Sequence, residues 1–162
     1  MSKNISIKDR NIRIQIWDTA GQEAYRSITR SYYKSSTCAF IVYDITEKKT
    51  FDDVDIWLRD CRDICYKNVL IYLIGNKSDL EDKRQVTFEE GKQYAEENNL
   101  VFFETSALNG NNIEEIFTQS ATELVNKLEA GELKDDFNNS GIKVFNYNKD
   151  LEKNSKNKKG CC

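Results

Sequence analysis

Two short polar motifs each follow an apolar stretch, and their residue types suit the two ends of a nucleotide. Asp18-Thr19-Ala20-Gly21-Gln22 comes after Ile12, Ile14 and Ile16, which alternate with polar residues. An aspartate at a strand end can hold Mg2+ through water, because that ion gives up its hydration shell reluctantly. A glycine lets backbone N–H approach a terminal phosphate closely, and a glutamine just beyond can orient an attacking water. The second motif, Asn76-Lys77-Ser78-Asp79, follows the apolar run 69–74. Its carboxylate can accept both the N1–H and the exocyclic N2–H of guanine. Its lysine stem can lie over the ring, and its asparagine amide can bond either the base edge or a neighbouring loop. Alone, N-K-x-D reads as a solvated turn; its distance after Asp18-Thr19-Ala20-Gly21 gives it weight. Glu104-Thr105-Ser106-Ala107 follows a third apolar run. A backbone N–H there could read guanine O6, although as an isolated tetrapeptide it means little.

The chain ends in Cys161-Cys162 behind a lysine-containing spacer. No residues follow the cysteines, so this is not a C-a-a-X box. Two thiols on a basic terminus suit double lipidation, since two chains plus positive charge anchor stably where one chain is marginal. Residues 149–162 carry five lysines against Asp150 and Glu152. The other cysteines are Cys38, Cys61 and Cys65. An odd count without framework spacing argues against disulfides and for a reducing compartment. Cys61 and Cys65, one helical turn apart, read as helix packing positions. There is no histidine, which removes His-based general bases and the usual zinc ligands. A net charge of −3 argues against a nucleic-acid partner.

The 162 residues, 39% apolar and 31% charged, fit one domain plus a tail. Ile5 and Ile7, then Ile12, Ile14 and Ile16, predict a hairpin of two half-buried strands, turning at Asp9-Arg10-Asn11. The continuous apolar runs 38–43, 69–74 and 100–103 predict strands buried on both faces of a parallel sheet. Between them lie helical spacings: Phe51, Val54, Trp57, Leu58, Cys61 and Cys65; Tyr94 and Ala95 after Phe88; and Ile113, Ile116, Phe117, Ala121, Leu124, Val125 and Leu128. Asn111 or Asn112 would cap the last helix and Gly131 would end it. Strands alternating with helices predict an α/β fold with crossover helices. From about residue 134 the pattern dissolves, except at residues 142–147, which alternate briefly and suit docking on the body.

Taken together, these residues resemble the Rab family of Ras-like small GTPases, from about Ile5 to Ile142 and again at the double-cysteine terminus. Arg26-Ser27-Ile28-Thr29-Arg30-Ser31-Tyr32-Tyr33 and Val42-Tyr43-Asp44-Ile45-Thr46 carry the likeness, as does Leu73-Ile74-Gly75-Asn76-Lys77-Ser78-Asp79-Leu80. The branch is similar to Rabs of Golgi and secretory or endosomal traffic. The resemblance implies a mostly parallel Ras-like sheet over residues 1–133, from the second strand onward, and a flexible hypervariable tail over 134–162. It implies GTP, GDP and Mg2+ as ligands. Asp18 would hold Mg2+ through water, Gly21 would sense the γ-phosphate and Gln22 would position the hydrolytic water. Asn76, Lys77, Asp79, Ser106 and Ala107 would hold guanine, with Leu108 standing where the family usually has lysine. Effectors and exchange factors would read residues 22–33. An escort protein and geranylgeranyl transferase would act on Cys161 and Cys162, giving a cytosolic escort-bound pool and a pool on the cytoplasmic face of Golgi, ER or endosomal membranes.

A Rab begins with a first strand, a phosphate loop, a first helix and a first switch, and these would precede Ile5. No G-x-x-x-x-G-K-[ST] occurs in the 162 residues. The P-loop lysine, the Mg2+-binding Ser/Thr and the first-switch threonine therefore have no counterparts here. Weakened phosphate affinity, two unpaired strand edges or directly paired flanking strands, and marginal stability are expected. Two readings follow: a Rab-type GTPase represented by an incomplete chain, or a lipid-anchored binding module that does not bind nucleotide. A coincidental set of motifs on an unrelated α/β enzyme is the third.

Overall fold

The structure is a computed structural model and describes residues 1–7, 10–19, 33–34, 36–65, 68–132 and 143–145. Alternating isoleucines build its first sheet. β1 (Ser2–Ile7) and β2 (Arg10–Gln15) pair antiparallel, with Ile5 opposite Ile12 and Ile7 opposite Arg10. Period-two alternation gathers Ile5, Ile7, Ile12 and Ile14 on one face, against Ala121 and Val125. The turn is shorter than the sequence suggested. Arg10 and Asn11 already pair within β2, so the connection is residues 8 and 9, which lie outside the described residues.

The continuous apolar runs form β3 (Cys38–Asp44), β4 (Leu70–Asn76) and β5 (Val101–Glu104), parallel and in the order β3-β4-β5. The helical spacing from Phe51 to Cys65 resolves into α1 (Lys48–Asp52) and α2 (Val54–Ile64). Asp53 between them keeps helical angles (φ −78°, ψ −8°), so the break is slight. α3 (Phe88–Glu97) starts at a capping box that the sequence reading passed over: Thr87 accepts from the Glu90 N–H at 3.1 Å, and Glu90 accepts from the Thr87 N–H at 2.8 Å.

Both faces of the parallel sheet are covered, which is why its strands read as unbroken apolar runs. Ile41, Tyr43 and Leu73 pack with Val54, Leu58 and Ala95 on the side of α2 and α3. Tyr72, Ile74 and Phe40 pack with Ile116, Phe117 and Leu124 of α4 (Ile113–Glu129) on the other side. Burying a side chain of this size stabilises by about 1.5–3 kcal/mol before entropy is counted. Since Ala121 and Val125 also carry the hairpin, α4 is the element that joins the two sheets.

The ends of α4 differ from expectation in one respect. Asn112 is the N-cap but takes a left-handed backbone (φ 58°) and makes no side-chain cap bond. Its amide instead donates to the Glu104 carbonyl at 2.7 Å, tying the helix start to the end of β5. Gly131 ends the helix at φ 72°, donating to the Leu128 carbonyl at 3.1 Å.

Among the described residues β2 does not pair with β3: β2 is paired on both sides, while β3 keeps an open edge. β6 (Lys143–Phe145), from the brief alternation at 142–147, pairs antiparallel with β2, placing Val144 opposite Ile12. Among the described residues the strands form two three-stranded sheets, β1-β2-β6 and β3-β4-β5, the second parallel and flanked by helices as the expected α/β fold requires. A cavity of about 700 Å3 lies among the hairpin, β3, α2 and α4, lined by Ile14, Trp17, Phe40, Val42, Trp57 and Leu124 with others. β3 is the edge strand of its sheet beside this cavity, so Val42 is 56% exposed, against the expectation of burial on both faces.

Candidate guanine-nucleotide site

Three strand ends and their following loops converge on the site. β4 runs through Gly75 to Asn76 because its backbone lies close over Tyr43: a Cβ at Gly75 would sit 2.8 Å from the Tyr43 hydroxyl and 3.1 Å from Ile45. Beyond Asn76 the chain turns sharply, with Lys77 in the left-handed region at φ 68°. The Leu80 N–H closes that turn on the Lys77 carbonyl at 2.9 Å. The Ser78 N–H donates to the Thr105 carbonyl at 2.9 Å, and the Thr105 N–H to the Gly75 carbonyl at 2.8 Å, so the loops after β4 and β5 are bonded to each other.

Side chains complete the clamp. Ser106, fully buried, donates its hydroxyl to Asp79 Oδ1. Asn76 Oδ1 accepts from the Ala107 N–H at 3.1 Å and from the Thr105 hydroxyl at 3.4 Å. Of the two roles open to the asparagine, the structure therefore displays the neighbouring-loop one, and the Ala107 amide is engaged by it. The second oxygen of the exposed Asp79 has no protein partner among the described residues. An exposed carboxylate fixed at one oxygen and open at the other suits paired N–H donors on a ligand edge.

Lys77 Nζ pairs with Asp44 Oδ2 at 2.5 Å, linking the base loop to the end of β3. Asp44 also accepts from the Thr46 N–H at 2.8 Å and its hydroxyl at 2.7 Å. Burial pushes the Asp44 carboxyl up, but the bonds from Lys77 and Thr46 together outweigh it and hold it below its ordinary value. The hydrogen bond that Lys77 donates to Asp44, then the charge of Asp44, raise the Lys77 ammonium. Behind the loops, Arg84 grips Glu104 with both Nη atoms, at 2.6 and 2.8 Å, and Glu81 at 2.7 and 2.8 Å. Neither the Asp44–Lys77 pair nor the Arg84 fork was anticipated from sequence.

Residues 1–126 match the Ras family. The chain belongs to the Ras family. Its Rab character is shown by its relatives. It is 50% identical over 141 residues to the Ras-related protein Rab-4A of Danio rerio, covering 87% of this chain and 66% of that protein. It is 49% identical to human Rab-4A, with 87% and 65% covered. It is 50% identical over 140 residues to the Ras-related protein Rab-2B of Dictyostelium discoideum, with 85% and 69% covered. The chain thus spans slightly under two thirds of the length of the Rab-4A proteins it matches.

In this Rab-type chain Asp18 is exposed and lies just past β2, at the rim of the cavity with Trp17 and Thr19. Family members bind guanine nucleotides with Mg2+. Among the described residues no three acidic or cysteine side chains cluster as a metal site. One carboxylate fits an ion held mainly by phosphate and water, with the protein contact made through water. Gly21 and residues 22–32 lie outside the described residues, as do Cys161 and Cys162. Leu108, beside the guanine loop, is 84% exposed.

Proposed function

We propose that this chain is a guanine-nucleotide switch of membrane traffic. The observation that supports this most directly is the clamp of two loops in which Ser106 fixes Asp79 and leaves one carboxylate oxygen open. Guanine enters edge-on, donating N1–H and N2–H to Asp79, with the stem of Lys77 along its face and the Asn76–Ala107 contact setting the loop spacing. Asp18 holds Mg2+ through water and Gly21 faces the γ-phosphate. Gln22 orients the water that converts GTP to GDP. Segment 22–33 changes with the nucleotide and is read by effectors and exchange factors. Cys161 and Cys162 receive geranylgeranyl groups with the help of an escort protein, and the lipids carry the protein to Golgi, ER or endosomal membranes.

Titration of fluorescent GDP against the 162-residue chain in Mg2+, with Asp79→Ala alongside, tests the reading. Saturable binding that disappears in the variant is expected. Absence of binding, or binding indifferent to Asp79, would overturn it.

A further inference from the structure

Cys61 and Cys65 sit at the C-terminal end of α2 with their sulfurs 3.3 Å apart. Cys65 is the C-cap residue. Its N–H donates to the Cys61 carbonyl at 2.8 Å, and its ψ of 167° takes the chain out of the helix. Four residues of helix rise span about 6 Å, inside the Cα separation of roughly 4.4–6.8 Å that a disulfide needs. Cys61 is buried and Cys65 half-buried, and both line the cavity beside Trp57 and Tyr33.

The two thiols share a hydrogen bond and are not equivalent. Either sulfur can donate that bond; the bond and burial push the Cys61 thiol up, and the bond holds Cys65 down. Cys65 is half-buried where Cys61 is buried, so it is the thiol that a small oxidant reaches first. Cys38, the other thiol on the cavity, behaves differently: burial, then the charge of Glu123, push it up to about 12, so it stays protonated.

We propose that Cys61 and Cys65 form a dithiol that hydrogen peroxide closes to a reversible disulfide. Cys65 sulfur attacks one peroxide oxygen, and the O–O bond breaks. The departing hydroxide takes the displaced thiol proton and leaves as water, with Cys65 as a sulfenic acid. Cys61 sulfur then attacks Cys65 sulfur; the S–O bond breaks and the hydroxyl leaves with the Cys61 proton as a second water. Two thiols lose two electrons in total, and one peroxide becomes two waters. Closing the pair brings the sulfurs from 3.3 Å to bonding distance across the last turn of α2, and thiol–disulfide exchange reopens it.

The test exposes the full chain to a few equivalents of peroxide, followed by alkylation and trypsin. Cleavage after Arg59, Arg62 and Lys67 puts Cys61 in peptide 60–62 and Cys65 in peptide 63–67. Among Cys38, Cys61 and Cys65, a disulfide-linked pair of these two peptides is expected as the main oxidation product, reversed by dithiothreitol while Cys38 remains alkylated. Cys65 sulfinic acid without the linked pair, or prior oxidation of Cys38, would overturn the proposal. In Cys61→Ser, a dimedone adduct at Cys65 is expected under the same exposure, and its absence would overturn the assignment of Cys65 as nucleophile.

Discussion

Ser106 and Asp79 are separated by 27 residues of chain, yet the buried hydroxyl of one fixes a carboxylate oxygen of the other. The geometry leaves the second oxygen open, as the proposed contact with a base edge requires. Asp79→Asn keeps an oxygen for Ser106 and turns the open position into an N–H donor. Xanthine carries a carbonyl where guanine carries the N2 amine. Asp79→Asn should therefore lose guanine affinity by about 10- to 100-fold, the scale of one hydrogen bond to a charged group, and gain xanthine affinity. Competition of xanthosine diphosphate against fluorescent GDP measures this. An unchanged base preference would remove Asp79 from the base site.

The Asp44–Lys77 pair gives stability a dependence on acid. The folded Asp44 carboxyl titrates below its unfolded value, so its contribution is present above the unfolded pKa, roughly 4, and is lost as pH falls through the folded one. Urea midpoints measured from pH 6 to pH 3 should fall at the acid end, and Asp44→Asn should flatten part of that fall. A variant whose pH profile parallels the parent would show that Asp44 carries none of it.

Gly91, within α3, is a site where helix propensity gives the wrong sign. Glycine to alanine in a helix interior ordinarily stabilises by about 1 kcal/mol. Here the added methyl would fall on the Tyr43 hydroxyl and within 2.7 Å of the Phe102 ring. That hydroxyl is buried and has no hydrogen-bond partner among the described residues. Overpacking of this kind costs about 1–3 kcal/mol, so Gly91→Ala should be destabilising on balance. Adding Tyr43→Phe removes the nearest obstacle and should recover part of the loss in chemical denaturation. A double variant no more stable than Gly91→Ala would locate the clash elsewhere.

The base-side loops were legible because both lie immediately after buried strands, where short polar motifs stand out against apolar runs. Asn76, Asp79, Ser106 and Ala107 do meet as the motif order suggested. What sequence could not supply was pairing between distant polar residues. Asp44 meets Lys77 because the parallel registry sets Asp44 opposite Asn76, and Arg84 reaches Glu104 from the end of the turn at 81–83; no local spacing encodes either. Residue type left Asn111 and Asn112 both open as the cap of α4; the helix starts at Asn112, whose side chain is diverted to the Glu104 carbonyl. The alternation at 142–147 was visible, but its pairing edge on β2 was not, since a three-residue strand fits many edges equally well.

The pairing of β6 with β2 also sets a length. Sixteen residues, 146–161, connect the docked strand to the first of the two terminal cysteines, and at about 3.5 Å each they reach no farther than roughly 55 Å. Measured from Glu132, just past α4, the same leash would be 29 residues and about 100 Å. With lipid on Cys161 and Cys162, a docked β6 confines the body to a shell about half as thick above the bilayer. Local concentration rises as that shell thins, so on the proposed lipid anchor three residues of backbone pairing would tune how often the protein meets anything else held on the same surface.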